Sequence, residues 1–274
     1  MGTGSSTAQI PIPSTPASKG GGMKNLRYAE EGGIGYLTID RPHVRNAIDL
    51  ETMGELDLLL GRLEGKAPRV LILTGGGEKV FIAGGDLKSL DELRTVEEGR
   101  EMSCLMQRNM ARLSALSCPV IAAVNGHCYG GGWEVAVACD LRVVSESARF
   151  GFRQAAMGLM TGWGGADRLV DLVGRARAKF LLWTAATISA QEALEIGLAD
   201  RLAPEGEVLE SAVALAREIM NNAPLAIRAL KWALQAERSP EEAAERLGRL
   251  WVSEDHQEAV RAFFERRPPE WKGR

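Results

Sequence analysis

"CPVIAAVNGHCYGGGWEVAVACDLRV", Cys118 to Val143, sets the terms on which the rest of the chain is read. Val120–Val124 is a short β-rich apolar run bounded by turn residues, and Leu141–Val144 is a second one. Between them, Gly130–Gly132 open an apolar segment that reads as a buried helix. Strand, helix and strand in so short a space argue α/β with crossovers and not a barrel of hairpins.

The same alternation extends outward. Ile34–Ile39 and Val70–Leu73 read as strands, while Leu50, Met53, Leu56, Leu60 and Leu63 fall on one helical face, as do Leu105, Met106, Met110 and Leu113. From about Ala176 the pattern turns helical: Ala190–Ile196 behind Ser189, Val208–Met220, Pro224–Gln235, Pro240–Trp251 capped by Ser239, and His256–Phe264. The expected organisation is an α/β core over 23–200 and a helical region over 201–274. Residues 1–22, rich in Ser, Thr, Pro and Gly and followed by Met23, read as an added leader and not as a signal peptide.

Composition narrows the partners. The 274 residues carry 33 basic and 36 acidic side chains, a net charge of −3, which gives no general electrostatic case for nucleic acid or an anionic membrane. The longest apolar runs fall well short of the roughly 20 residues that a membrane helix needs. Cys104, Cys118, Cys128 and Cys139 show no paired C-x-x-C spacing, so reduced thiols and a cytoplasmic location are expected. His43, His127 and His256 form no H-x-x-x-H or H-E-x-x-H pattern and no recognisable triad, so neither a metal nor a Ser-His-Asp site is expected. "TGGGEK", Thr74–Lys79, lacks the spacing and ending of a phosphate loop and reads as a turn.

Glycines before a helix leave backbone N–H groups exposed at its start, with the helix dipole behind them, which suits a developing oxyanion. Gly130–Gly132 are so placed and Glu134 follows in the first turn. A second cluster, Ala83-Gly84-Gly85 in "VFIAGGDLKSL", also lies between a strand-like run and a helical start, with Asp86 as an expected N-cap. Two such junctions can supply the two donors that grip one thioester carbonyl oxygen. The alternative is that the glycines only allow close packing of a turn, with Glu134 a first-turn charge favoured by the dipole.

With these residues in place the chain resembles the crotonase superfamily, the enoyl-CoA hydratase/isomerase group, from about Asn25 to Lys272. The markers are "DRPHVRNAI" (Asp40–Ile48), "FIAGGDLKSL" (Phe81–Leu90), the Cys118–Val143 segment, "MGLMTGWGGADRLVDLVG" (Met157–Gly174), "ISAQEALEIGLAD" (Ile188–Asp200) and "AFFERRPPEW" (Ala262–Trp271). The resemblance implies a spiral of ββα turns with a C-terminal helical trimerisation region, assembled as a homotrimer or a dimer of trimers. It implies an acyl-CoA substrate, with coenzyme A as part of the substrate and no separate cofactor. The oxyanion hole would come from the N–H groups of Gly85 and Gly131, with Glu134 as a catalytic glutamate. Ala83, Asp86, Leu87, Trp133 and Trp163 would line the substrate path. Arg45 and Arg266 or Arg267 would be candidates for the phosphates, or ordinary solvated arginines.

One position departs from the group. Aligning Phe150 and Gly158 places Gln154 where the hydratases carry their second glutamate, and an amide does not exchange a proton near neutral pH. Hydration or isomerisation of an enoyl thioester is the favoured expectation. Decarboxylation of methylmalonyl- or ethylmalonyl-CoA is the alternative, since it needs only the oxyanion hole and one proton donor, and the ethylmalonyl group carries a "WGG" resembling Trp163-Gly164-Gly165. A non-catalytic acyl-CoA binder is the third reading.

Overall fold

The computed structural model describes residues 23–235 and 238–274; the expected leader lies outside them. The chain opens with β1 (Leu26–Glu31), β2 (Ile34–Ile39) and α1 (Leu50–Gly65). A repeating path follows, in which a strand of one sheet leads to a strand of a second sheet and then to helix: β3 (Val70–Gly75), β4 (Val80–Ile82), α2 (Leu87–Leu90) and α3 (Val96–Ala115); β5 (Val120–Val124), β6 (His127–Tyr129) and α4 (Gly131–Ala138); β7 (Leu141–Ser145), β8 (Arg149–Gly151) and α5 (Gly165–Val173). Then come α6 (Arg175–Trp183), β9 (Thr187–Ser189), α7 (Ala190–Glu195), β10 (Arg201–Ala203), α8 (Val208–Met220), α9 (Pro224–Leu234), α10 (Pro240–Trp251) and α11 (Glu254–Glu265). The sheets run β1-β2-β3-β5-β7-β10 and β4-β6-β8-β9. Among the described residues only the pairs β1–β2 and β8–β9 are antiparallel.

The larger sheet is covered on both faces, which is why its strands read as unbroken apolar runs. In β3, Val70 and Ile72 face α8, with Ala212, Val213 and Ala216, while Leu71 and Leu73 join the main core with Met53, Leu56 and Leu60 of α1. One strand thus supplies both layers through its two-residue period.

The four expected strands are all present. The expectation of helix alone from about Ala176 fails, because β9 and β10 intervene and β10 pairs parallel with β7, Arg201 opposite Val143. Each is three residues long, too short to declare a period. Leu50, expected on the buried face of its helix, is 41% exposed at the first position of α1. The last helix starts at Glu254, two residues before the expected His256, with Ser253 as its N-cap. Ser189 and Ser239 cap α7 and α10 as expected, each in a capping box with the glutamate three residues on.

A buried cation fastens α9 to the core. Lys231 donates to Asp140 Oδ2 (2.6 Å) and to the Cys118 carbonyl (2.8 Å), and the same Asp140 oxygen accepts from Val120 N (2.7 Å). Cys118, Cys128 and Cys139 are buried and Cys104 is exposed. Burial pushes the Cys118 thiol up to about 11 and the Cys139 thiol up to about 12.

Candidate active site

The three glycines before α4 answer to three different constraints. Gly130 has φ +52° and ψ −126°, a backbone state closed to side chains. A Cβ on Gly131 would lie 2.2 Å from Trp163 Cζ3, and one on Gly132 would lie 2.1 Å from the Ile82 carbonyl oxygen. The second cluster meets the first directly. Gly84, at φ +104°, comes so close that a Cβ on it would stand 3.0 Å from Gly131 N.

The segment after β2 fixes that approach. Ile48 N donates to Gly84 O (2.8 Å) and Asp86 N to Ile48 O (2.9 Å), so Gly85 is bracketed while its own N–H finds no acceptor among the described residues. The Gly131 N–H, at the first position of α4, likewise has none there. Arg41, buried, braces this junction by ion pairs to Asp49 (2.7 Å) and Asp86 (3.1 Å) and by donating to the Ala47 carbonyl. The Asn46 side chain donates to Gly76 O and Val80 O. Asp86 does occupy the N-cap position of α2, but its side chain makes no cap bond because Arg41 holds it, which corrects the expected cap.

Glu134 is 2% exposed, and its two oxygens are treated differently. Oε2 accepts from the backbone N–H groups of Trp163 (2.9 Å) and Gly165 (3.0 Å). Oε1 accepts from Gln154 Nε2 (3.1 Å). Burial pushes the carboxyl above its usual range, while the N–H groups of Gly165, Trp163 and Gln154 pull the other way. Gln154 is oriented in turn, since Trp133 Nε1 donates to its Oε1 at 3.2 Å. An indole N–H can only donate, so the amide oxygen faces Trp133 and the NH₂ faces Glu134. Trp133 is fully buried and packs on Phe152, with ring centroids 5.0 Å apart.

The structure therefore brings Gly85, Gly131, Glu134, Gln154, Trp133 and Trp163 into one cluster, with Ala83 beside it, its carbonyl oxygen 3.7 Å from where a Cβ on Gly130 would stand. Leu87 is 62% exposed on α2, and the Arg45 side chain is exposed in a left-handed turn. Arg266 and Arg267 lie at the end of α11, apart from the contacts of this cluster. Arg267 is engaged by Glu258 (2.5 Å) and Glu265 (2.6 Å). Sequence reasoning missed Arg41, whose signal was the "DRPHVRNAI" stretch itself. It also missed Ser103 and Gln107 of α3, which donate to the Gly162 carbonyl at 2.6 and 3.4 Å and carried no signal.

Known proteins resemble the chain along most of its length. The enoyl-CoA hydratase/isomerase family profile matches residues 29–274. A short-chain-enoyl-CoA hydratase of Clostridium acetobutylicum is 38% identical over 252 residues, 89% of this chain and 96% of that one. A crotonyl-CoA hydratase of Syntrophomonas wolfei is 35% identical over 251 residues, again 89% of this chain and 96% of the relative. The crystal structure of an enoyl-CoA hydratase from Bacillus anthracis superposes with a TM-score of 0.85 at 34% identity, covering 92% of this chain and all of that one.

Proposed function

The chain belongs to the enoyl-CoA hydratase/isomerase family and is an enzyme of that type, and from that premise we propose that it adds water to a short 2-enoyl thioester of coenzyme A. The observation that carries this reading is a pair of amides with no acceptor among the described residues, Gly85 N and Gly131 N, set beside one buried carboxylate. The substrate's thioester oxygen accepts from both amides. As water's oxygen bonds to the β-carbon, Glu134 takes its proton through Oε1, the oxygen that the backbone does not saturate. Negative charge moves to the thioester oxygen, where two fixed donors stabilise the enolate. Glu134 then returns the proton to the α-carbon, and the net change is H and OH across the double bond. Gln154 holds the water and the carboxylate in place but supplies no proton.

Gln154 also favours a second reading. With a single carboxyl group in the cluster among the described residues, loss of CO₂ from a malonyl-type thioester is open, since it needs the same amide pair and only one proton donor. Purified enzyme given crotonyl-CoA in one reaction and methylmalonyl- or ethylmalonyl-CoA in another, with products followed by mass, separates the two. A product heavier by one water supports hydration, and loss of CO₂ replaces it with decarboxylation. In either case Glu134→Gln is expected to lower turnover by about 10²–10⁴-fold with coenzyme A affinity nearly unchanged; unaltered turnover would remove Glu134 from the mechanism.

Assembly as a homotrimer or a dimer of trimers is supported by the apolar side chains that the C-terminal helices leave in the open, among them Trp251 at 65%, Phe263 at 78% and Phe264 at 78% exposure. Ala83, Asp86, Leu87 and Arg45 border the amide pair and remain candidates for the coenzyme A path. Arg266 and Arg267 belong to that path only if a ligand or a neighbouring subunit draws them from their carboxylates. Unpaired cysteines are in keeping with a cytoplasmic location, and among the described residues no helix is long and apolar enough to cross a membrane.

A further inference from the structure

Trp163 lies against both residues of the amide pair. A Cβ on Gly131 would meet Trp163 Cζ3 at 2.2 Å and its Cε3 and Cη2 at 2.5 Å; a Cβ on Gly85 would meet Cζ2 of the same ring at 3.7 Å and Leu90 Cδ1 at 2.6 Å. The benzene edge of one indole thus spans from one donor residue to the other, with Leu90 closing the Gly85 side. The ring is 5% exposed.

It is also fixed at its root. Trp163 N and Gly165 N donate to Glu134 Oε2, the Gly162 carbonyl accepts from Ser103 Oγ (2.6 Å), and the Gly164 carbonyl accepts from Arg168 (2.7 Å). Moving the turn that carries the indole would break bonds to α3, α4 and α5, and among them the bonds that hold the carboxylate.

We propose that Trp163 is the residue that limits acyl length: its ring, with Leu90, ends the acyl space shortly beyond the β-carbon, so the enzyme takes short acyl thioesters and rejects long ones. A packed aromatic wall cannot yield to extra methylenes without displacing buried atoms. The inference rests on Gly85 N and Gly131 N being the carbonyl site.

The test titrates butyryl-, octanoyl- and decanoyl-CoA into the wild-type enzyme and into Trp163→Ala and Trp163→Phe by calorimetry. Saturated thioesters are not hydrated, so binding is read apart from the reaction. Wild-type affinity should fall at least about tenfold from butyryl- to octanoyl-CoA. Trp163→Ala should remove that fall, and Trp163→Phe, which keeps an aromatic ring, should keep part of it. Should Trp163→Ala fail to fold by circular dichroism, Leu90→Ala is read instead and should relieve the limit in part. The same length dependence in wild type and variant, or equal wild-type affinity for short and long chains, overturns the proposal. Crotonyl-CoA turnover measured alongside keeps the readings apart: a length limit relieved in the variant without any wild-type hydration rejects the proposed reaction and leaves Trp163 in its role.

Discussion

Gln154 is the residue on which the proposed chemistry turns, and its setting defines a test. Its amide oxygen accepts from Trp133, and one of its two N–H groups donates to Glu134. In Gln154→Glu the new carboxylate would still accept from Trp133, but the oxygen facing Glu134 would have no proton to offer unless the two acids share one. The pair would then titrate together. Burial already places the Glu134 carboxyl above the usual range, so a step that uses it as a base weakens as pH falls through that raised value. Sharing a proton with the introduced carboxyl would carry protonation to still higher pH. Hydration of crotonyl-CoA should rise at least about tenfold in the variant, with the acid limb of its pH–rate profile displaced upward. No gain in rate would mean that a second acid is not what limits this enzyme. Glu134, Gln154 and the glycine pair could all be read from the sequence by spacing and resemblance. That Trp133 orients Gln154, and that backbone N–H groups of residues 163 and 165 hold Glu134, could not, because both depend on a turn folded back from far along the chain.

Among the elements, the long helices and the buried strands were legible because each repeats its pattern several times. β9 and β10, at three residues each, were not. The last segment illustrates a contact that no period announces. Asp255, in the first turn of α11, is 1% exposed and accepts from Lys272 N (2.7 Å) and Gly273 N (3.0 Å), while Trp271 Nε1 donates to Asn221 O (2.8 Å) at the end of α8. Asp255→Ala would remove the charged acceptor of two amides and is expected to cost about 1–3 kcal/mol, with tryptic cleavage after Arg266 or Lys272 becoming severalfold faster. Equal cleavage rates in wild type and variant would show that Asp255 does not hold this segment.

For the molecule as a whole, alternation of apolar runs pointed to α/β, and the resemblance supplied the spiral. Strand order was not readable from local pattern, since neighbours such as β7 and β10 lie far apart in the chain, Val143 opposite Arg201, with the buried Arg142 of β7 bonding Asp200 and Leu198 just before β10. The core that results shields three of the four thiols. Burial raises those of Cys118, Cys128 and Cys139, and only the thiolate reacts. A disulfide colour reagent should therefore titrate one thiol per native chain and four after denaturation. Two or more fast thiols in the native enzyme would contradict the packing around β5, β6 and the end of α4.

That lone accessible thiol has a practical consequence. Cys104 follows Ser103, whose hydroxyl grips the Gly162 carbonyl beside the indole ring. A fluorophore coupled there needs no engineered cysteine and sits one residue from the strut that braces the turn holding Glu134. Its emission would give an optical record of ligand arrival on the unmodified sequence, independent of whichever bond the enzyme goes on to make or break.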